Sequence, residues 1–183
     1  MPEVANQQSL TKLVEDLAAR EQIRTCYYRI NRGIDRIDAD LLGSGFFPDA
    51  RIRWGTPETV DFETWLRTAL TIQKKTQRTQ HLVGNILIDL RGDEADVEAY
   101  EIARHLTPMG EEMKDLILAS RYVDKFALRN GDWRIVHREK VLDWVRIMEG
   151  SDPAYDMVPG KGRRDDEDVS FNLFGKDAFH SLI

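Results

Sequence analysis

The chain has 183 residues, 42% of them hydrophobic and 32% charged, with a formal net charge of −6. This length suits one domain with a substantial core, and the acidic balance argues against nonspecific nucleic-acid binding, which needs a basic face. Because no segment holds the ~18 apolar residues of a membrane span, no signal-peptide pattern opens the chain and Cys26 has no second cysteine to pair with, we expect a cytoplasmic protein without disulfides.

Three helices are predicted in the N-terminal part of the chain. Residues 9–31 carry apolar side chains three to four apart, with Ser9 as the expected cap and Gly33 as the expected end. A short second helix is predicted at about 36–43, and a short strand, "RIRW", follows a turn at Pro48. The third helix, at 59–75, has one apolar face, formed by Phe62, Trp65, Leu66, Ala69 and Ile72.

Four long strands are predicted next, at about 80–91, 94–107, 116–129 and 133–147. Asn130 and Gly131 lie between two apolar runs, which is a strong hairpin signal. Three helices followed by an antiparallel meander predict the α+β class. A curved sheet wrapped around the long helix would leave a pocket between them.

A change in composition divides the chain into a domain at 1–150 and a C-terminal tail at 151–183. The tail is rich in charge, proline and glycine and has no periodic pattern. It nevertheless contains four large apolar side chains, those of Phe171, Leu173, Phe174 and Phe179. We therefore expect it to pack over the pocket or against a neighbouring subunit.

Single polar residues at the end of the first predicted helix and in the predicted strands are candidates for chemistry, although position alone favours structural roles for them. Asp35 could cap the second helix, and a lone His81 is more often structural than catalytic. Either Arg104 or His105 should face inward at the end of its strand. Arg146 shares a face with Trp144, which points to a pocket or a subunit contact, with a surface salt bridge as the alternative.

Motifs for phosphate, nucleophile-elbow and zinc chemistry are absent from the sequence. His81 and His105 with a carboxylate could ligate a metal, but their spacing matches no metal signature. We expect neither a metal nor a cofactor.

Four blocks of sequence carry a family resemblance: "LAAREQIRTCYYRINRGIDRIDADLL", "FFPDARIRW", "TQHLVGNILIDL" and "YVDKFALRNGDWRIVHREKVLDWVRI". Over residues 9–150 the chain resembles the SnoaL-like branch of the NTF2-like superfamily. That branch is related to scytalone dehydratase, hexachlorocyclohexane dehydrochlorinase and bile-acid 7α-dehydratase. The resemblance implies a cone-shaped α+β barrel, with three N-terminal helices packed on a curved antiparallel or mixed sheet.

The resemblance also implies roles for particular residues. His81 matches the family's general base, and Asp35 matches the carboxylate that pairs with it. His105 matches a second active-site histidine within one residue, and Arg146 matches an active-site arginine. Tyr28 stands two residues before the position of the family's helix-1 tyrosine, which Ile30 occupies here.

A histidine–carboxylate pair suits elimination without a cofactor. Histidine has an ordinary pKa near ~6.5, so it can accept a proton near neutral pH. A bonded carboxylate fixes the tautomer and stabilises the imidazolium. Donors placed where negative charge develops would add to this, and Tyr28, His105 and Arg146 are the candidates.

The resemblance favours a cofactor-independent lyase that dehydrates a hydrophobic aromatic or polycyclic alcohol, or splits a C–C bond with loss of formaldehyde. The candidate substrate-binding aromatics are Phe46, Phe47, Trp54, Trp65, Tyr100 and Trp144. Alternatives are an isomerase or cyclase, and a non-catalytic ligand-binding domain or dioxygenase β-subunit-like assembly domain. Outward apolar residues, expected around Val123, Leu128 and Ile135, predict a homo-oligomer, with a trimer favoured over a dimer.

Overall fold

A long helix and a six-stranded sheet form most of the structure, a computed structural model that describes residues 2–150, 153–175 and 179. The α+β prediction is confirmed. In chain order the elements are α1 (Pro2–Arg36), α2 (Ala39–Gly43), β1 (Phe46–Trp54), β2 (Val60–Asp61), α3 (Phe62–Lys75), β3 (Arg78–Arg91), β4 (Glu94–Met109), β5 (Glu112–Arg129), β6 (Asp132–Glu149), α4 (Pro153–Met157) and α5 (Val169–Phe174).

The sheet has the strand order β2-β1-β6-β5-β4-β3, so β2 and β3 are its edges and it is not closed into a barrel. β1 runs parallel to β6, and every other pair is antiparallel. The predicted hairpin joins β5 to β6. Asn130 and Gly131 have φ values of 56° and 88°, which two-residue hairpin turns require and which these residue types tolerate.

Helix α1 is longer at both ends than predicted, because it starts at Pro2 and continues past Gly33 to Arg36. Gly33 serves a close approach between helices: a Cβ there would lie 2.3 Å from the backbone nitrogen of Leu42 in α2. The helix ends where Ile37 adopts a φ of 58° and the Asp38 N–H donates to the Gly33 carbonyl at 2.8 Å.

Helix α3 begins later than predicted, at Phe62, because Val60 and Asp61 pair with β1 as a strand. The Asp61 carboxylate caps the helix by accepting the backbone N–H of Thr64 at 2.8 Å. The apolar faces of α3 and of the second half of α1 pack on one face of the sheet. This inner face holds the core, which includes Ile23, Tyr27, Ile30, Phe46, Trp65, Phe126 and Ile135.

The outer face of the sheet carries exposed apolar side chains, but Ile135 is not among them. Ile135 is fully buried, because it pairs with Phe126 on the inner face. Val123 is exposed as predicted, and Leu128 is partly buried against the core. Strand register instead aligns three exposed apolar side chains across the outer face, those of Leu82, Ile102 and Trp144, with Ala119 of β5 between the last two.

The described part of the tail lies against its own chain. Arg164 donates to the carbonyl oxygens of Asp35, Gln73 and Thr76 at 2.9, 3.0 and 2.7 Å, which ties the tail to the C-terminal ends of α1 and α3. Arg32 of α1 donates to the Ser170 hydroxyl at 2.9 Å. Among the described residues, no helix is long and apolar enough to cross a membrane.

Candidate active site

Asp35 and His81 meet between the last turn of α1 and the inner face of β3. His81 Nδ1 lies 2.7 Å from Asp35 Oδ1, and the His81 backbone N–H donates to Asp35 Oδ2 at 3.1 Å. The two side chains are only 3% and 14% exposed. Asp35 does not cap α2; Asp38 does, by accepting the Leu41 N–H at 2.9 Å. The pair is therefore largely shielded from solvent, and two hydrogen bonds hold its geometry.

The carboxylate determines which nitrogen of His81 can act. An ionised carboxylate only accepts hydrogen bonds, so Nδ1 must carry the proton that points to Asp35. The lone pair then resides on Nε2. In this tautomer His81 can accept a proton through Nε2 while Asp35 stabilises the resulting imidazolium.

His105 lies beside this pair on β4. Its ring is 5.0 Å from that of His81 in an edge-on arrangement, and its Nδ1 is 3.0 Å from the Thr79 hydroxyl oxygen. Burial lowers the pKa of His105 to about 4, and the imidazolium form of His81 and the ammonium of Lys140 act in the same direction. His105 is therefore neutral at neutral pH and acts there as a hydrogen-bonding group.

A second polar cluster, centred on Glu101 of β4, also faces the interior. The Glu101 carboxylate accepts the Ser120 hydroxyl at 2.6 Å and the Tyr122 hydroxyl, and Lys140 Nζ lies 2.6 Å from its Oε2. Burial opposes ionisation of Glu101, but the ammonium of Lys140, the imidazolium form of His81 and the Lys140 and Ser120 hydrogen bonds outweigh it and hold its pKa at about 2. Glu101 is thus a buried anion whose charge Lys140 balances.

Sequence reasoning missed this cluster, although strand alternation contained a signal for it. Glu101 stands between Ala99 and Ala103, so it shares the face of two small residues that suit a packed interior. Lys140 lies directly opposite Tyr122 across β5 and β6. A charged residue at a core position of a strand indicates either a buried ion pair or a site.

A third buried polar network lies on the inner face of the sheet. Arg138 donates to both oxygens of Asp124 at 3.0 and 2.6 Å, and the Tyr27 hydroxyl donates to Asp124 Oδ2 at 2.6 Å. The Arg138 guanidinium also stacks on the Tyr122 ring at 3.9 Å. Because these groups satisfy one another, we interpret the network as structural support.

The dyad lies between an interior cavity and a surface groove. The cavity has a volume of about 10 Å³, close to what one water needs, and its lining is Ile30, Asn31, Ile34, Trp54, Trp65, His81, Tyr122, Arg138 and Lys140. The groove measures about 290 Å³ and includes Tyr28, Asn31, Asp35 and His81. A larger cleft of about 650 Å³ lies elsewhere, between α1 and the start of β6. It lacks such an acid–base pair, so we place the candidate site at the dyad.

Only some of the predicted aromatic residues line the cavity. Trp54 and Trp65 do. Phe46 packs on Trp65 within the core at 4.8 Å between ring centroids, and Phe47 lies under the guanidinium of Arg129. The structure places the remaining two, Tyr100 and Trp144, exposed on the outer face of the sheet.

Two predicted catalytic residues also lie away from the cavity. Arg146 pairs with Ile117, two positions from the pair of Ala119 and Trp144. Because side chains alternate along a strand, Arg146 lies on the same outer face as Trp144, where it is exposed. The sheet separates it from His81. Tyr28 is exposed and borders the groove, because the helix turns the neighbouring Tyr27 into the core instead. The structure thus brings Asp35, His81 and His105 together and leaves Arg146 out.

No group of three or more histidine, cysteine, aspartate or glutamate side chains is arranged to hold a metal ion within residues 2–150, 153–175 and 179.

Comparison with known families identifies the architecture around this dyad. The family described as "SnoaL-like domain" matches residues 15–139, more than half of the chain and all of the dyad and its neighbours on β3 and β4. The chain belongs to the SnoaL-like family. A search of curated proteins gave no match.

Two solved structures have a fold similar to that of this SnoaL-like chain. A hexachlorocyclohexane dehydrochlorinase of Novosphingobium barchaimii superposes with a TM-score of 0.68 at 16% identity, over 75% of this chain and 95% of that one. A protein from Novosphingobium aromaticivorans that has been proposed to be a scytalone dehydratase gives 0.63 at 23% identity, over 75% and 90%. At these identities the likeness establishes the fold.

The neutral state of His105 predicts a pH dependence of stability. Its pKa is about 4 in the folded SnoaL-like protein and about 6.5 in an unfolded chain. Between these values the unfolded chain binds more protons, so stability is full above pH ~6.5 and falls as the pH drops toward 4. His105→Asn should remove up to roughly 3 kcal/mol of this dependence.

Urea unfolding at pH 7 and pH 5 measures the effect, with His137→Asn on the outer face as the control. If the free energy of unfolding changes equally between pH 7 and pH 5 in His105→Asn and in the original protein, the lowered pKa of His105 is wrong.

Proposed function

We propose that this SnoaL-like protein is a cofactor-independent lyase acting on a hydrophobic aromatic or polycyclic alcohol, by dehydration or by C–C cleavage with loss of formaldehyde. The observation that carries the proposal is the part-buried Asp35–His81 pair, with its 2.7 Å contact. An assembly or carrier domain has no use for a desolvated, correctly oriented acid–base pair beside its cavity.

His81 Nε2 would accept the proton and later return it, to the departing hydroxide in a dehydration or to carbon after C–C cleavage. Asp35 would stabilise the imidazolium between the two steps. His105, neutral and hydrogen-bonded, would orient the substrate or leaving group. The names of the two structural neighbours, a dehydrochlorinase and a proposed dehydratase, describe eliminations, which supports the reaction class.

Substrate binding would require the interior to open. The cavity of about 10 Å³ holds no aromatic ligand, whereas the groove on the other side of the dyad offers about 290 Å³. Trp54 and Trp65 would supply the apolar wall once displaced. Arg164 ties the tail to the carbonyl oxygen of Asp35, so movement of the tail would accompany access.

Incubation of the purified protein with a panel of aromatic and steroid alcohols tests the proposal. A new conjugated absorbance or released formaldehyde would support a lyase, and a product of unchanged mass would indicate an isomerase. Absence of turnover across the panel, with ligand binding unchanged in Asp35 and His81 variants, would indicate a non-catalytic domain.

We also propose that the chain forms a homo-oligomer through the outer face of its sheet, with a trimer favoured by the family resemblance. Leu82, Ile102 and Trp144 are exposed on β3, β4 and β6, with the small, buried Ala119 of β5 between the last two, and such exposed apolar patches mark interfaces. Ile102→Asp should reduce the assembly to a particle of 21.2 kDa in light scattering.

Val158→Asp, at an exposed position just after α4, is the control and should leave the assembly unchanged. If the unmodified protein already scatters as a monomer at micromolar concentration, the oligomer proposal is wrong.

A further inference from the structure

Lys140 faces the same cavity as His81 but has no part in the acid–base pair. Its side chain is 10% exposed, and its Nζ contacts Glu101 Oε2 at 2.6 Å. The ammonium also lies 5.2 Å from the Tyr122 ring centroid and 5.7 Å from that of Trp54, both of which line the cavity. An ammonium has three N–H donors, so its contact with Glu101 leaves donors for a ligand.

The groups around Lys140 hold it in place. Glu101 accepts from Ser120 and Tyr122 as well as from Lys140, and its pKa of about 2 keeps it ionised. The carboxylate is therefore held by three donors and acts as a positioning group. The other cation of the cavity wall, Arg138, directs its Nε and Nη2 to Asp124.

Two further cavity-lining groups point to a polar ligand. Asn31 Oδ1 and Trp65 Nε1 are buried and have no hydrogen-bond partner among the described residues, and their side chains belong to residues 6% and 5% exposed. Buried polar atoms are nearly always paired. A ligand with one hydroxyl donor and one oxygen acceptor would satisfy both.

We propose that the substrate is a β-hydroxy carbonyl compound whose carbonyl oxygen binds the Lys140 ammonium, so that Lys140 is a further catalytic residue. This inference rests on the proposed lyase function and deepens it. An imidazole is too weak a base for the C–H bond of a simple alcohol. An adjacent carbonyl lets the electron pair move onto oxygen, and a fixed cation there stabilises the enolate.

The steps balance for either leaving group. In dehydration, His81 takes the proton from the carbon between the carbonyl and the carbinol carbon. The electron pair of that C–H bond moves towards the carbonyl oxygen and forms an enolate, which the Lys140 ammonium stabilises. The enolate then expels hydroxide, which leaves as water with the proton from His81. In C–C cleavage, His81 takes the hydroxyl proton, and the bond between the carbinol carbon and its neighbour breaks to release formaldehyde. The electron pair of that bond forms the enolate, and His81 then returns the proton to its carbon.

Binding of p-nitrophenol tests the cation site without turnover, because its phenolate resembles an enolate and its absorbance reports ionisation. We expect Lys140→Met to weaken phenolate binding by about tenfold or more. Lys125→Met, an exposed lysine on the outer face of β5, should bind like the original protein. Because Lys140→Met leaves Glu101 uncompensated, the double variant Glu101→Gln/Lys140→Met keeps the interior neutral and should show the same loss. Equal binding in the original protein and the double variant would overturn the proposal.

Turnover separates this inference from the lyase proposal. β-Hydroxypropiophenone should be converted to phenyl vinyl ketone or to acetophenone and formaldehyde, with kcat lowered about 10²-fold by Lys140→Met, whereas phenylpropanol, which lacks the carbonyl, should not react. Conversion of phenylpropanol at a rate independent of Lys140 would overturn the inference and leave the lyase proposal standing. Lys140-dependent phenolate binding without turnover of any alcohol would support the cation site and refute the lyase.

Discussion

His81→Ala should remove nearly all turnover, about 10²–10⁴-fold, while leaving the fold intact. The variant loses the nitrogen that accepts the proton. In the original protein the Asp35 carboxylate accepts a hydrogen bond of 3.1 Å from the backbone N–H of residue 81. The fold should survive because the substitution keeps this backbone hydrogen bond. The measurement is kcat on a substrate identified from the panel, together with the urea midpoint of unfolding.

His137→Ala is the matched control, since His137 lies on the outer face of β6 opposite Lys125 and should retain full activity. If His81→Ala keeps more than about a tenth of the activity, the general-base assignment fails. His105 and Tyr28 would then become the leading candidates.

Asp35→Asn should lower kcat by about 10²-fold or more with little change in KM. The asparagine side chain has nearly the same shape, but its amide cannot stabilise an imidazolium. When its NH₂ group faces His81 Nδ1, it also favours the tautomer that places the proton on Nε2, the nitrogen that must accept one. The loss should fall on kcat, because Asp35 acts through His81 and not through a contact with the substrate.

Asp38→Asn provides the control for this variant. Asp38 caps α2 only three residues along the chain, and asparagine caps a helix as well as aspartate does. Its kcat and stability should match those of the original protein. Equal effects of the Asp35 and Asp38 substitutions would mean that Asp35 has only a structural role.

Local sequence patterns were enough to predict the α+β class, and the four blocks of resemblance were enough to predict the family. The Asn130–Gly131 turn and the alternating strands around it depend on local backbone preferences, which a short stretch of sequence contains. The pairing of Asp35 with His81, 46 positions apart, could be predicted only through the family resemblance. Position alone favoured structural roles for both residues.

Strand faces could not be predicted from the sequence where the register shifts. A bulge in β6 leaves Asp143 without a strand partner, because Leu142 and Trp144 lie opposite the consecutive residues Ser120 and Ala119 of β5. Because side chains alternate with a period of two, one extra residue exchanges the two faces beyond it. The bulge therefore puts Arg146 and Trp144 on the outer face.

The polar groups of the interior could not be predicted before the strands were assembled into a sheet. Glu101, Ser120, Tyr122 and Lys140 come from three strands and have no common motif in the chain, yet they meet within hydrogen-bond distance. Local propensity constrains neighbours along the chain, whereas a buried charge is tolerated only when packing supplies its partner. That partner is a property of the assembled sheet, so Lys140 became visible as a candidate only beside Glu101.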